Sequence, residues 1–302
     1  MPGAHEVSTL GVQTAGMDML DYARRGRTAG WLYAVTAAVA LGIWLLMVVA
    51  VAAALAISHR LPADLAQQLA RPSRPGVFLG ANGLMFAGLL AAFALAARLV
   101  QKRRFTDIVG AWSWRLFGLA AAAWTLALIV MTLADLAIAP SGFRVSASGA
   151  TLWLSLWSVA ALAPQTFTEE FIFRGFLTQG LLLAFKRPLP AAILSGLVFG
   201  AVHIPNGWPQ AASAAVFGIL AARLAIRFAG IAFTFGLHLV NNLFGAILVV
   251  SQSDVFRGLP GVLSQTTPQL MWWDTATTTL CLGAVTAVAL RLTRRRPEAP
   301  AV

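Results

Sequence analysis

The feature that most constrains this chain is a succession of long apolar runs. Eight stretches, at roughly 30–58, 76–100, 114–139, 150–185, 189–205, 209–228, 230–252 and 270–292, carry few charges. About 20 apolar residues in helical conformation cross a hydrocarbon layer about 30 Å thick. Inside that layer only helices or closed barrels satisfy their own backbone groups. The runs therefore predict an all-α fold, a polytopic membrane helix bundle of about eight transmembrane helices. Composition agrees, with 59% hydrophobic and 11% charged residues among 302, about half the charged share of a soluble domain. The expected organisation is a polar tail at 1–29, N-terminal transmembrane helices over 30–149, a core over 150–252, and a last helix with a basic tail over 253–302. The run 150–185 is too long for one simple crossing, and Pro164 within it is expected to break or kink the helix.

The formal net charge of +11 would suit nucleic-acid binding, but its distribution argues against that partner. The basic residues fall in short clusters between apolar runs: Arg24, Arg25 and Arg27; Arg98, Lys102, Arg103 and Arg104; Lys186 and Arg187; Arg223 and Arg227; Arg291, Arg294, Arg295 and Arg296. The intervening loops are poorer, with Arg144 after the third run and Arg257 after the seventh; Arg60, Arg71 and Arg74 are the exception. Such alternation is the positive-inside pattern of a cell-membrane protein and places both termini in the cytoplasm. Segment 1–27, with Glu6, Asp18 and Asp21, has no basic n-region, and the first run exceeds a signal-peptide core, so it reads as a retained span. The tail RRRPEAPAV is expected to be disordered and cytoplasmic. The single cysteine, Cys281, excludes an internal disulfide and reads as a small buried apolar residue. Trp153, Trp157, Trp208, Trp272 and Trp273 lie near span ends, as interfacial aromatics do, and Asp135, Arg115 and Asp274 are given interfacial roles.

Ionisable side chains inside spans cost about 2.5–3.5 kcal/mol each at mid-helix and are candidates for function. Three clusters stand out. In Thr168-Glu169-Glu170-Phe171-Ile172-Phe173-Arg174, helical spacing lets Glu170 pair with Arg174 and turns Glu169 about 100° away, leaving it free for chemistry. The second cluster, Phe199-Gly200-Ala201-Val202-His203, puts Phe199 and His203 on one face. In the third, His238-Leu239-Val240-Asn241-Asn242, His238 and Asn242 share a face, and Asn241 is the better candidate for interhelical hydrogen bonding. His5 and His59 lie in the tail and a loop. One carboxylate and two histidines can activate water or ligate zinc with an open position.

These clusters resemble the motif set of the CPBP family, the CAAX-protease and bacteriocin-processing or Abi type: E-E-x-x-x-R, F-x-x-x-H, then H-x-x-x-N. The resemblance covers about 150–250 and implies an intramembrane endopeptidase with 150–252 as its catalytic core. It implies Glu169 acting with His203 on a water, His238 and Asn242 as the oxyanion site, and Glu170 with Arg174 holding them. It leaves two versions open: a metal-free glutamate protease, or a metalloprotease whose divalent ion, such as zinc, would sit on Glu169, His203 and His238. Asn242, a poor zinc ligand and a good oxyanion donor, tilts toward the first. No H-E-x-x-H occurs, excluding the common zincin arrangement. The implied partners are a peptide or membrane-protein substrate and the lipid bilayer.

Two other classes compete: a non-catalytic immunity or scaffold protein, and a transporter, which the crowding of polar residues into the second half disfavours. Straight helices would also put Glu169 late in its span and His203 late in the next, on opposite sides. Either Pro164 begins a new helix that lifts Glu169, or the two spans are tilted and short.

Overall fold

The computed structural model of the protein describes residues 17–70, 74–251, 255–259, 261–266 and 271–292. His5, Glu6, Arg71 and the tail beyond 292 lie outside them. Eight long helices fall on the eight apolar runs: α1 Gly30–Ile57, α2 Pro75–Ala96, α3 Trp114–Ile138, α4 Gly149–Glu169, α5 Pro188–Ala201, α6 Trp208–Phe228, α7 Ala232–Leu243 and α8 Met271–Leu292. The fold is a helical membrane bundle. Among the described residues, four helices are long and apolar enough to cross a membrane: α1, α2 with its π-helical extension to Gln101, α3 and α6. The others fall short of the eight expected crossings for physical reasons. Helix α5, at 14 residues, rises only about 21 Å. Helix α7 has 12 residues before a π-helical end at Phe244–Leu248, and α4 and α8 carry polar residues.

Of the break or kink expected at Pro164, a break does not occur. Helix α4 runs through it, then widens into a π-helix at Glu170–Leu177 and continues as an α-helix over Thr178–Phe185. The Thr168 hydroxyl lies 2.7 Å from the Pro164 carbonyl and 2.9 Å from that of Phe86 on α2, tying the proline turn to its neighbour. Lys186, left-handed at φ 53°, ends the run. Helix α5 then returns antiparallel alongside it, with Thr178 Oγ1 2.9 Å from Ser195 Oγ and the Ser195 hydroxyl donating to the Phe173 carbonyl at 3.0 Å.

Helices α5 and α6 approach closely through small residues. A Cβ on Gly200 would lie 2.6 Å from Ala215 Cβ, and one on Gly218 would lie 2.7 Å from Gly196 Cα. Such contacts suit membrane helices, which associate by close packing. The core beside them joins Trp124, Phe199, Phe217, Leu224, Phe233, Leu237 and Leu282.

The bundle has two distinct ends. At one, Arg25 pairs with Asp107 at 3.0 Å, Arg27 N donates to the Gln101 carbonyl, Ala111 N to Ala229 and Ile231 N to Val109. Arg103, fully buried, contacts Gln179 and donates to the Asp107 carbonyl at 3.1 Å. At the other end lies a three-stranded sheet absent from the all-α expectation. Its strands are β1 Phe143–Val145, β2 Val249–Ser251 and β3 Leu263–Gln265, with β3 central, antiparallel to β1 and parallel to β2.

Candidate active site

The π-helical stretch sets the site's geometry. A π-turn bonds i to i+5 and is frequent at functional sites; here Thr178 N reaches the Phe173 carbonyl. Glu170 and Arg174 both lie within it, sealed from solvent. Arg174 Nη1 sits 3.2 Å from Glu170 Oε1. The guanidinium lies over the Phe199 ring, 3.9 Å from its centroid, and 5.1 Å from that of Phe217. Its N–H groups find no hydrogen-bond acceptor among the described residues, so the ion pair and the aromatic faces hold it.

His238, on α7, stands between the two glutamates. Its Nδ1 is 2.8 Å from Glu170 Oε1, and its Nε2 is 3.5 Å from Glu169 Oε2. An ionised Glu170 can only accept, so Nδ1 carries the proton and Nε2 faces Glu169. That gap is too long for a strong hydrogen bond. His203 follows α5, and its Nδ1 is 2.7 Å from the Phe199 carbonyl. A carbonyl also only accepts, so Nδ1–H donates and a neutral His203 keeps a lone pair on Nε2. His203 lies within electrostatic reach of Glu169, His238 and Arg174. The rings of His203 and His238 both pack on Phe199, at 4.5 Å and 5.8 Å between centroids.

The difference in depth expected from straight helices is resolved by the hairpin. Glu169 and His203 are equidistant in sequence from Lys186, at its turn, so the two antiparallel arms carry them to one level. Of the second alternative only the short helix α5 is found, since the helical run from Gly149 continues to Phe185, and no new helix begins at Pro164.

Asn242 Nδ2 donates to Thr166 Oγ1 on α4 at 3.1 Å, which leaves one amide proton for another acceptor. Asn241 takes the interhelical place, accepting from Trp124 Nε1 on α3 at 3.3 Å. A cavity of about 250 Å³ opens here, lined by Phe199, His203, Phe217, His238, Asn241 and Asn242, with Gln210, Ser213 and Asp274 farther out. Glu169 keeps a small exposed fraction, whereas Glu170 and Arg174 keep none. Among the described residues, no three His, Cys, Asp or Glu side chains are arranged to hold a metal ion.

Several further polar residues join the site. Gln165, one turn before Glu169, donates to its Oε1 at 3.3 Å, and Asn82 on α2 donates to Gln165 Oε1 at 2.8 Å. Glu169 therefore has a partner in the preceding turn, contrary to the expectation from spacing alone. Asp274, expected at an interface, lines the cavity, and Asp135, also expected there, is buried and accepts from Trp273 Nε1 at 2.8 Å. The spacing of Gln165 to Glu169 was visible; the contribution of Asn82, from the distant first half, was not.

Comparison with known proteins agrees with the motifs. The family model for type II CAAX prenyl endopeptidase, Rce1-like, matches residues 149–244. The chain is similar to the uncharacterized protein YyaK of Bacillus subtilis (strain 168), with 27% identity over 213 residues, 66% of this chain and 71% of that protein. No solved structure matches. The matched segment, residues 149–244, holds Glu169, Glu170, Arg174, His203, His238 and Asn242, and over it the chain is similar to the Rce1-like family of CAAX-protease type.

Proposed function

We propose that this protein is a multi-pass endopeptidase of the cell membrane that hydrolyses peptide bonds with a water activated by Glu169 and His203. The observation that carries the reading is His238 held between two carboxylates, Nδ1 on Glu170 and Nε2 toward Glu169, beside a cavity shared with His203 and Asn242. His203 lines the cavity and lies within electrostatic reach of Glu169, and a carboxylate and an imidazole lone pair so placed can remove a proton from water.

The reaction runs through the side chains. Water oxygen attacks the scissile carbonyl carbon as its proton passes to Glu169 or to His203 Nε2. The carbonyl oxygen becomes an oxyanion, which accepts from the remaining Asn242 Nδ2–H beside the His238 ring. Collapse breaks the C–N bond, and the stored proton leaves on the amine. Each oxyanion donor of this kind contributes about 3–4 kcal/mol. Glu170 and Arg174, sealed from the cavity, fix the orientation of His238 and do not meet substrate.

The bilayer is the lateral partner and a peptide or membrane protein the substrate. The basic end of the bundle, with residues 17–29, 102–113 and 186–187, faces the cytoplasm under the positive-inside rule. The cavity then opens at the opposite end, where α6 and α8 begin.

The test is cleavage by detergent-purified protein of a broad peptide set and of a prenylated CAAX peptide, with and without a strong chelator. Glu169→Gln is expected to lose turnover while remaining folded. Unchanged turnover in that variant would end the mechanism, and loss of wild-type turnover in chelator would move it to a metal.

A further inference from the structure

We propose that Asn82 and Gln165 form an amide relay that positions Glu169 and dedicates its two oxygens to different tasks. The proposal rests on Glu169 being the base. Its observation is a chain of two hydrogen bonds from α2: Asn82 Nδ2 to Gln165 Oε1 at 2.8 Å, then Gln165 Nε2 to Glu169 Oε1 at 3.3 Å. The relay's polarity is forced by chemistry. An ionised carboxylate only accepts, so Gln165 turns its NH₂ toward Glu169. Its carbonyl oxygen then faces α2, and only a donor can meet it there. Asn82 is that donor. Oε1 is thereby occupied, and Oε2 is left toward His238 Nε2 at 3.5 Å, where a water proton would be taken. Helix α4 alone cannot do this, because the Gln165 amide could rotate freely without Asn82. The α2 contact also holds α4 at this level, through Thr168 and the Phe86 carbonyl. A residue outside the matched segment 149–244 thus sets the geometry within it.

The relay makes an unusual mutational prediction. Asn82→Asp is nearly isosteric, yet it replaces a donor with an acceptor. It would draw the Gln165 NH₂ to itself and turn the Gln165 carbonyl oxygen onto Glu169. Asn82→Leu only frees Gln165. The isosteric change is therefore expected to be the more damaging one, and both effects should vanish when Gln165 is already Leu. A role for Asn82 in helix packing gives the reverse order.

Two readouts test this. The first needs no turnover. A hydrophobic carbodiimide attacks the protonated acid, and a carboxylate that loses a donor is more readily protonated. Labelling of Glu169 in the detergent-purified protein, read by peptide mass, should rise roughly tenfold in Gln165→Leu, the equivalent of one charge-assisted hydrogen bond. It should rise at least as far in Asn82→Asp, and Asn82→Asp should add nothing in the Gln165→Leu background. The second readout is cleavage of the prenylated CAAX peptide, where kcat should fall about 10-fold with KM unchanged. Parent-rate labelling in Asn82→Asp, or an Asn82 effect that persists without Gln165, overturns the relay. If Glu169→Gln is inactive while the relay variants keep full kcat, the base reading stands and the relay fails. If Glu169→Gln still turns over, the base reading fails, and carbodiimide labelling alone decides the relay.

Discussion

At the residue scale, the energetics turn on Glu170 and Arg174. Both are fully buried and meet at 3.2 Å. Removing one member of such a pair leaves an uncompensated charge, whereas replacing both can be nearly neutral. Arg174→Met is therefore expected to lower stability by about 3–5 kcal/mol. Glu170→Gln with Arg174→Met should recover much of that loss, because a Gln oxygen can still accept from His238 Nδ1. Thermal unfolding in detergent distinguishes the two, and equal losses in single and double variants would contradict the argument. Arg103 gives a parallel case outside the spans. In sequence it reads only as one of a basic cluster that marks sidedness, but it is buried against Gln179 and the Asp107 carbonyl, and desolvation by burial lowers its pKa. Arg103→Ala should cost a few kcal/mol while exposed Arg104→Ala stays within about 0.5 kcal/mol. Five of the motif residues stood out because ionisable groups are expensive in an apolar run, and Asn242 stood out because it lies four residues after His238. Asn82, Gln165 and Thr166 did not, because uncharged polar residues enter membrane helices cheaply and form hydrogen bonds in many roles.

At the element scale, the eight helices were legible from apolar runs, but their internal character was not. Apolar periodicity does not distinguish an i+4 from an i+5 turn, so the π-helix carrying Glu170 and Arg174 left no trace in the sequence. Strands of three residues are likewise too short to show alternation, and the sheet of β1, β2 and β3 went unseen. The short helix α5 explains why counting spans put Glu169 and His203 at different depths: the count assumed full crossings. The position of His203 now depends on how tightly α5 packs on α6. Gly200 faces Ala215 and Ala211, with a Cβ there 2.6 Å from Ala215 Cβ and 2.9 Å from the Ala211 carbonyl. Gly200→Val must push the helices apart, at about 1–3 kcal/mol of overpacking strain. His203 lies less than one turn beyond, so turnover should fall further than stability implies. Lowered Tm with full kcat would show that His203 is held independently of the α5–α6 contact.

At the scale of the whole molecule, charge alternation predicted that both termini share a side, and the fold bears on it directly. The segment 17–29, the connection 102–113 and the turns at 186–187 and 229–231 gather at one end through Arg25–Asp107, Arg103–Gln179 and Ala111–Ala229 contacts. Helix α8 starts at the other end, where Trp273 meets Asp135 at the close of α3, and so runs back toward the first. The gathered end holds Arg24, Arg25, Arg27, Lys102, Arg104, Lys186 and Arg187. The sheet end holds Arg60, Arg74, Arg144 and Arg257, and Arg74 is paired with Asp64, so the one loop that strained the alternation is partly neutralised. In the proposed topology the basic, gathered end lies in the cytoplasm. Because the cavity opens toward the sheet end, substrate would enter from outside the cytoplasm. Replacing Cys281 by Ser gives a cysteine-free background in which single cysteines can be placed at the exposed positions Arg104, Lys186, Arg144 and Asn206. A membrane-impermeant thiol reagent on intact cells should label positions 144 and 206 and reach 104 and 186 only after lysis. The opposite pattern would invert the bundle, place the cavity mouth in the cytoplasm, and make a cytoplasmic peptide tail the class of substrate able to reach Glu169.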